Sequence, residues 1–230
     1  MKKRRIDLID LWRTVAVLTM VIYHFIYDMG VFGVISWDQV FSPGPQILQR
    51  VASYSFIVVS GVSSRLTKSN IKRGLLVLLC SVAVSAVSFV AGLPIMFGIL
   101  QFLGCAMLIY GLAGSRLERI PERFAPFLYL ALFIGAKIFV DTAPYVEQRF
   151  LWPFGFVYQG FSSSDYYPLL PWIFLFLFGS WLGGLITKKQ KRWPVLGLSF
   201  PKALTLPGRY SLIIYMAHQP LLYGLCFLIF

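Results

Sequence analysis

The sequence predicts an all-α protein, a polytopic transmembrane helical bundle of about seven spans. Three observations point to that class. Mean hydropathy is +0.74. Only 13% of residues are charged, where a typical soluble domain carries about a quarter. Apolar runs of about 17–25 residues recur along the whole chain, the length an α-helix needs to cross the hydrocarbon core. No polar stretch is long enough to fold alone, so residues 1–230 read as one integral membrane domain.

The first span, Leu11 to Gly33, follows the basic "MKKRRIDLID". No small-residue cleavage site follows it, so it reads as an uncleaved helix, not a signal peptide. The second span covers Ile47 to Leu66, the third Gly74 to Gly92, and the fourth Ile95 to Ala113. The fifth, Phe124 to Val140, contains Lys137 and ends against Asp141. The sixth runs from Leu169 to Thr187 and the seventh from Ser211 to Phe230. Cys80, Cys105 and Cys226 fall inside apolar runs without metal-ligand spacing and read as packing residues.

Charge orients the bundle. The net charge is +12, and eighteen of the 21 Lys and Arg fall on one side of the expected spans. They stand at the N-terminus (Lys2, Lys3, Arg4, Arg5, Arg13) and after the second span (Arg65, Lys68, Lys72, Arg73). Arg116, Arg119 and Arg123 follow the fourth span, and Lys188, Lys189, Lys191, Arg192, Lys202 and Arg209 follow the sixth. Arg50, Lys137 and Arg149 are the remaining three. The positive-inside rule places the N-terminus in the cytoplasm and the C-terminus outside. It accounts for the charge without a nucleic-acid partner. The longest external loop, Asp141 to Pro168, is rich in Trp and Tyr, which suit the membrane–water interface. It reads equally as a lid or acceptor platform and as an interfacial re-entrant segment.

Few ionisable groups lie within the spans. His24 is eleven residues past Arg13, about 16 Å along a helix, and His218 is nine past Arg209, about 13 Å. The two histidines therefore share a depth and can face one cavity if the first and last helices are neighbours. Asp28 is one turn beyond His24 on the same face. A charge near the bilayer centre costs about 2.5–3.5 kcal/mol, so such groups face a partner or a cavity. Asp28 is expected to accept the imidazole N–H and make the other nitrogen a better base. A buried polar pair that only orients helices fits the same residues. A two-histidine, one-aspartate metal site has no close ligand cluster to complete it, and no metal is expected. Arg13 is spaced to pair with Asp10 at i, i+3. It reads as a positive-inside anchor or as a phosphate ligand.

Five segments share an order with a known family. They are "IDLIDLWRTVAVLTMVIYHFIYD", "SYSFIVVSGVSS", "FGILQFLGCAMLIY", "YYPLLPWIFLFLFGSWLG" and "GRYSLIIYMAHQPLL". The set resembles the catalytic domain of the heparan-alpha-glucosaminide N-acetyltransferase family. The Arg-x10-His spacing of Arg13 and His24 is similar to that of the wider membrane-bound acyltransferase-3 group. The family's glycine after the arginine is Thr14 here. The position of the lysosomal enzymes' proposed catalytic histidine is Ile35, and the chain is shorter than theirs.

The resemblance implies acyl transfer, with acetyl-CoA or another acyl-CoA as donor and a sugar or glycan as acceptor. It points to His24 as the general base, with Asp28 stabilising the imidazolium. Gln101, His218 or Tyr215 would donate to the oxyanion. Arg13, Arg65 and Lys68 would meet the donor's phosphates, with Asp10 beside Arg13. The expected setting is a bacterial cytoplasmic membrane, among lipids, with room for a homo-oligomer. Plainer roles stand beside these. Gln101 can bond another helix, Pro220 can kink the last span, and Gly179, Gly183 and Gly184 allow close packing. Two other functions use the same residues. A proton-coupled transporter would use His24, Asp28 and His218 as a relay, although the inverted repeat expected of one is not visible. A structural protein would keep the fold without the chemistry.

Overall fold

A computed structural model describes residues 5–189 and 192–230. Lys2, Lys3, Arg4 and Lys191, four of the cations that orient the bundle, lie outside the described residues. Among those described, the chain is helical and forms no strand. In order, the helices are α1 (Asp7–Val31), α2 (Trp37–Val40), α3 (Pro43–Leu66), α4 (Asn70–Val90) and α5 (Ile99–Leu117). Then come α6 (Ala125–Thr142), α7 (Leu169–Lys189), α8 (Lys202–Arg209) and α9 (Ser211–Ile229). Short 3₁₀ turns occupy Arg149–Phe154 and Pro194–Gly197.

Six of these helices, α1, α4, α5, α6, α7 and α9, are long and apolar enough to cross a membrane. The seventh expected span is α3. Its 24 residues give it about 36 Å of length, but it carries too many polar residues to join the six. Its central stretch is enclosed by protein: Ile57, Val59 and Val62 are fully buried, and Ser53, Ser63 and Ser64 are buried with them. A helix packed by protein needs no continuous apolar surface toward lipid, which is why hydropathy alone separates it from the rest.

The fold divides into two compact units, Met1–Val59 with Lys189–Phe230, and Ser60–Lys188. In the first, α1 packs against α8 and α9. The α1–α8 contact is a backbone approach. A Cβ on Gly208 would fall inside the carbonyl of Asp10 and sit 3.0 Å from the Thr14 amide nitrogen. The Gly208 N–H donates to the Thr14 hydroxyl at 2.9 Å, and that hydroxyl donates to the Asp10 carbonyl at 3.0 Å. Thr14, the departure from the family's glycine, is therefore the residue that receives α8.

Charge closes the same junction. The buried Asp10 carboxylate accepts from Arg5 at 2.5 and 3.0 Å, from Arg13 at 2.8 Å and from Arg209 at 3.3 Å. Arg209 also donates to Asp7 at 3.1 Å. The hydrogen bond to Asp10 raises the Arg5 pKa above its ordinary value. The expected Arg13–Asp10 pair is present, inside a larger node that ties the start of α1 to the end of α8. Asp10→Asn, which leaves three guanidinium groups facing a neutral amide, is expected to destabilise the protein by roughly 3 kcal/mol. Thermal unfolding in detergent measures it.

In the second unit, α4 and α5 form an antiparallel pair. The end of α3 lies against α7 through glycines. A Cβ on Gly61 would press into the Phe176 carbonyl and lie 2.9 Å from the Ser180 nitrogen, and one on Gly183 would lie 2.7 Å from the Val62 carbonyl. Gly179 and Gly183 form the small-xxx-small spacing that lets membrane helices touch backbone to backbone. Leu170 is extended (φ −95°, ψ 133°), as the residue before Pro171 tends to be.

The long aromatic loop clasps the entry to α5. Ser164 N–H donates to the Pro94 carbonyl at 3.0 Å, and Tyr167 N–H to the Phe97 carbonyl at 2.7 Å. Asp165 caps the helix from this loop, accepting the Ile99 N–H at 2.9 Å. Burial pushes its carboxyl up to about 6, against the opposing pull of that N–H. A folded pKa above the unfolded one means the folded state holds the proton longer. This group's contribution is therefore best at low pH and declines as pH rises from about 4 to 6, then stays level. Asp165→Asn keeps an acceptor for Ile99 and removes the charge. Its stability relative to wild type should rise by about 1–3 kcal/mol between pH 4 and pH 7. Unfolding curves at the two pH values measure the difference.

Candidate functional site

The site is built in the first unit, where α1 and α9 lie side by side. α9 is a long apolar helix interrupted by Pro220, which lacks an N–H and so frees a carbonyl in the preceding turn. His218 sits just before that break. Its Nδ1 lies 2.7 Å from the Tyr215 carbonyl. A carbonyl only accepts, so in the neutral ring Nδ1 carries the proton and Nε2 holds the lone pair. That Nε2 is buried and has no hydrogen-bond partner among the described residues.

His24 comes from α1 to meet it. The two imidazole centroids are 4.8 Å apart, edge to face at 62°. Tyr23 packs edge-on against His24 at 5.5 Å, and Tyr215 against His218 at 5.4 Å. The shared depth read from spacing is thus a direct ring contact, and the chain's two histidines form a single pair.

Asp28 departs from expectation. Its Oδ1 accepts from Gln219 Nε2 at 2.7 Å, while Oδ2 is buried without a partner. No hydrogen bond joins it to His24. The reason is the register of α9, which sets His218 against His24 and the next residue, Gln219, against Asp28. Each α1 group finds its partner across the interface, not one turn along its own helix. The Gln219 Oε1 is also buried and unpaired. Buried polar atoms are nearly always hydrogen-bonded. Three orphans here (His218 Nε2, Asp28 Oδ2 and Gln219 Oε1) mark a polar centre inside an apolar bundle.

The other expected site residues are distributed elsewhere. Gln101 belongs to the second unit, where its Nε2 donates to Ser85 Oγ at 2.5 Å and ties α5 to α4. Ser85 in turn donates to the Ile95 carbonyl at 3.1 Å. The plain helix-bonding role therefore describes Gln101. Arg13 and Asp10 are engaged with each other in the α1–α8 node. Arg65 is ion-paired with Glu118, whose Oε1 also accepts the Tyr110 hydroxyl at 2.9 Å. Lys68 is exposed, makes no ion pair among the described residues, and lines a cavity of about 500 Å³ with Arg65 and Lys72.

Sequence reasoning did not give Gln219 its role, although it stands next to His218 in the quoted "HQP". No local pattern says which group 191 positions away it meets. Among the described residues, no group of three or more His, Cys, Asp and Glu side chains is placed to hold a metal ion.

The family model described as heparan-alpha-glucosaminide N-acetyltransferase, catalytic, matches residues 5–220. Neither the curated proteins nor the solved structures contain a match to the chain. The matched segment runs from the Asp10 node to Pro220, so it contains every group of the paired-histidine centre. This helical integral membrane protein belongs to the heparan-alpha-glucosaminide N-acetyltransferase catalytic-domain family.

Proposed function

We propose that the protein is a membrane-embedded acyltransferase. It moves an acetyl group, or another short acyl group, from cytoplasmic acyl-CoA to a hydroxyl or amine presented from outside, on a sugar or cell-envelope glycan. The setting we assign is the cytoplasmic membrane of a bacterium. The observation that carries this reading is the imidazole pair of His24 and His218, held in an apolar bundle with an unshared Nε2 lone pair.

His24 takes the proton from the acceptor O–H or N–H as that atom attacks the thioester carbonyl. The new C–O or C–N bond forms, the C–S bond breaks, and the thiolate leaves with the bonding pair. The proton held by His24 returns to the thiolate. A positioned base of this kind contributes about 10²–10⁴-fold. The Tyr215 carbonyl keeps the proton of His218 on Nδ1, so its Nε2 is the second acceptor through which the same proton can pass. Asp28, restrained by Gln219, supplies negative charge near the imidazolium that forms. Gln219, with a second amide N–H, replaces Gln101 as the nearby side-chain donor for the oxyanion. Of the three cations expected to meet the donor's phosphates, Arg13 and Arg65 already face carboxylates, and Lys68 is exposed with no ion pair among the described residues.

A panel of hexosamines and hexoses tests this with acetyl-CoA and the purified protein in liposomes. Acceptor-dependent release of free thiol, absent in His24→Gln, is the expected result. Thiol release that is equal in wild type, His24→Gln and empty liposomes would sink the reading.

A further inference from the structure

The outer end of α1 carries a second built feature, entirely within the first unit. Ser36 closes the start of the four-residue α2 reciprocally. Its N–H donates to Gln39 Oε1 at 2.9 Å, and its Oγ accepts the Gln39 N–H at 3.4 Å. The following turn is tied as firmly. Ser42 Oγ donates to the Gln39 carbonyl at 2.7 Å, and Gln46 Nε2 to the Phe41 carbonyl at 2.6 Å. α2 lies on α1 at Gly30, where a Cβ would stand 2.6 Å from Val40 Cγ2 and 3.5 Å from the Trp37 ring. Val40 is fully buried there, yet Trp37 is 46% exposed and Phe41 53%. The fold fixes this short helix and leaves its two largest rings uncovered.

Those rings end a line of aromatic contacts that begins at the histidine pair. Tyr23, packed on His24, has its centroid 6.4 Å from Tyr27, and Tyr27 is 5.5 Å from Trp37. Trp37 and Phe41 are 5.7 Å apart and within 19° of parallel. Trp37 meets α1 at Gly30, six residues beyond His24, which is about 9 Å outward along the helix. That is farther than a single pyranose ring spans. By the positive-inside rule this end of α1 faces outside.

We propose, resting on the acyltransferase reading for the inner end, that Trp37 and Phe41 form an outer sugar subsite. The acceptor is then a glycan of two or more rings, whose terminal unit reaches His24 and His218 while a preceding ring stacks on Trp37. A pyranose has a face of C–H groups and a rim of hydroxyls. Two exposed, nearly parallel rings take such a face by dispersion and by removing it from water. The rim calls for acceptors and donors together. Asp38, next to Trp37, is exposed, and its carboxylate makes no hydrogen bond or ion pair among the described residues. Arg50 is exposed and donates to Gln46 Oε1 at 3.2 Å, beside the Phe41 carbonyl that Gln46 holds. Its other N–H groups are left for a hydroxyl oxygen.

The inner end selects the same kind of occupant. Its three orphaned atoms, His218 Nε2, Asp28 Oδ2 and Gln219 Oε1, are all acceptors, so the group that enters must bring donors. A lipid acyl chain brings none, and it has no use for the carboxylate beside the outer rings. A glycan supplies hydroxyls at one end and a stacking face at the other. The test uses the full-length protein in detergent, with mono-, di- and trisaccharides of glucose, glucosamine and galactose as probes. Calorimetry follows binding without acyl-CoA. Thiol release from acetyl-CoA is measured separately with the same sugars.

In wild type, at least one trisaccharide should bind about tenfold more tightly than its monosaccharide. Trp37→Ala should erase that difference and leave monosaccharide binding unchanged, while Trp37→Phe keeps most of it. Phe41→Ala, which leaves the α1 contact at Gly30 in place, should lose it in part. Length-dependent binding without thiol release from any sugar would strike the transfer chemistry and leave the subsite standing. Mono- and trisaccharides that bind alike in wild type, or a trisaccharide preference that survives in Trp37→Ala, would overturn the subsite. Trp37 would then be a membrane-interface anchor only.

Discussion

His24→Gln is expected to lower acetyl transfer by about 10²–10⁴-fold while leaving donor binding within a fewfold of wild type. Glutamine keeps the size and polarity of the side chain and removes only the titrating nitrogen. His218→Gln should fall in the same range, because its Nε2 is the other lone pair in a contact of 4.8 Å between centroids. The double variant is the informative one. If the two rings act as one proton-handling unit, it will be no slower than the worse single variant, since residues that work together are not additive. Thiol release in liposomes gives all three rates. A drop in the double variant equal to the product of the single drops would mean that the rings act independently.

Gly208→Ala is the largest stability effect expected. The added Cβ would overlap the Asp10 carbonyl, which belongs to helix backbone and cannot swing aside. Overpacking against backbone costs about 3 kcal/mol or more. Here it would also part the Gly208–Thr14 bond and draw Arg209 away from Asp7 and Asp10. The protein should be recovered in low yield, or with a melting temperature many degrees below wild type. Thr14→Gly is the control, because it restores the family's residue without adding bulk. It removes the buried hydroxyl with both of its hydrogen bonds and should cost about 1–3 kcal/mol. A Gly208→Ala protein that melts with wild type would mean that α8 does not dock on α1 in this way.

These two predictions divide along what the sequence could disclose. Helix positions were legible because apolar length is a local property, and six of the seven expected spans are helices apolar enough to cross a membrane. The seventh, α3, shows where that signal ends. Ser53, Ser63 and Ser64 are tolerated because neighbouring protein encloses that part of the helix, while Arg50 lies exposed near its start. The Arg13–Asp10 pair was legible from i, i+3 spacing. Counting residues inward from two basic anchors gave the histidines a shared depth, and the packing of α1 on α9 is what brings their rings together.

What was not legible depends on how helices distant in sequence are rotated against each other. Asp28 sits on the same face of α1 as His24, and local spacing pairs them. The register of α9 instead gives Asp28 to Gln219. Thr14 reads as a lapse from the family pattern until Gly208, 194 residues later, is seen to donate to it. Gln101 matches a motif residue, yet its amide serves Ser85 on the adjacent helix. In each case the residue type was informative and the partner was set by long-range packing.

In the proposed reaction the thioester of acetyl-CoA is brought to the His24–His218 pair. The chain contains only two histidines, so a histidine-selective reagent reports on that pair alone. The direct measurement is the rate of diethylpyrocarbonate modification of the purified protein as acetyl-CoA is added. Saturable protection is expected, with both imidazoles shielded together by the bound donor. Modification at an unchanged rate across all acetyl-CoA concentrations would contradict it.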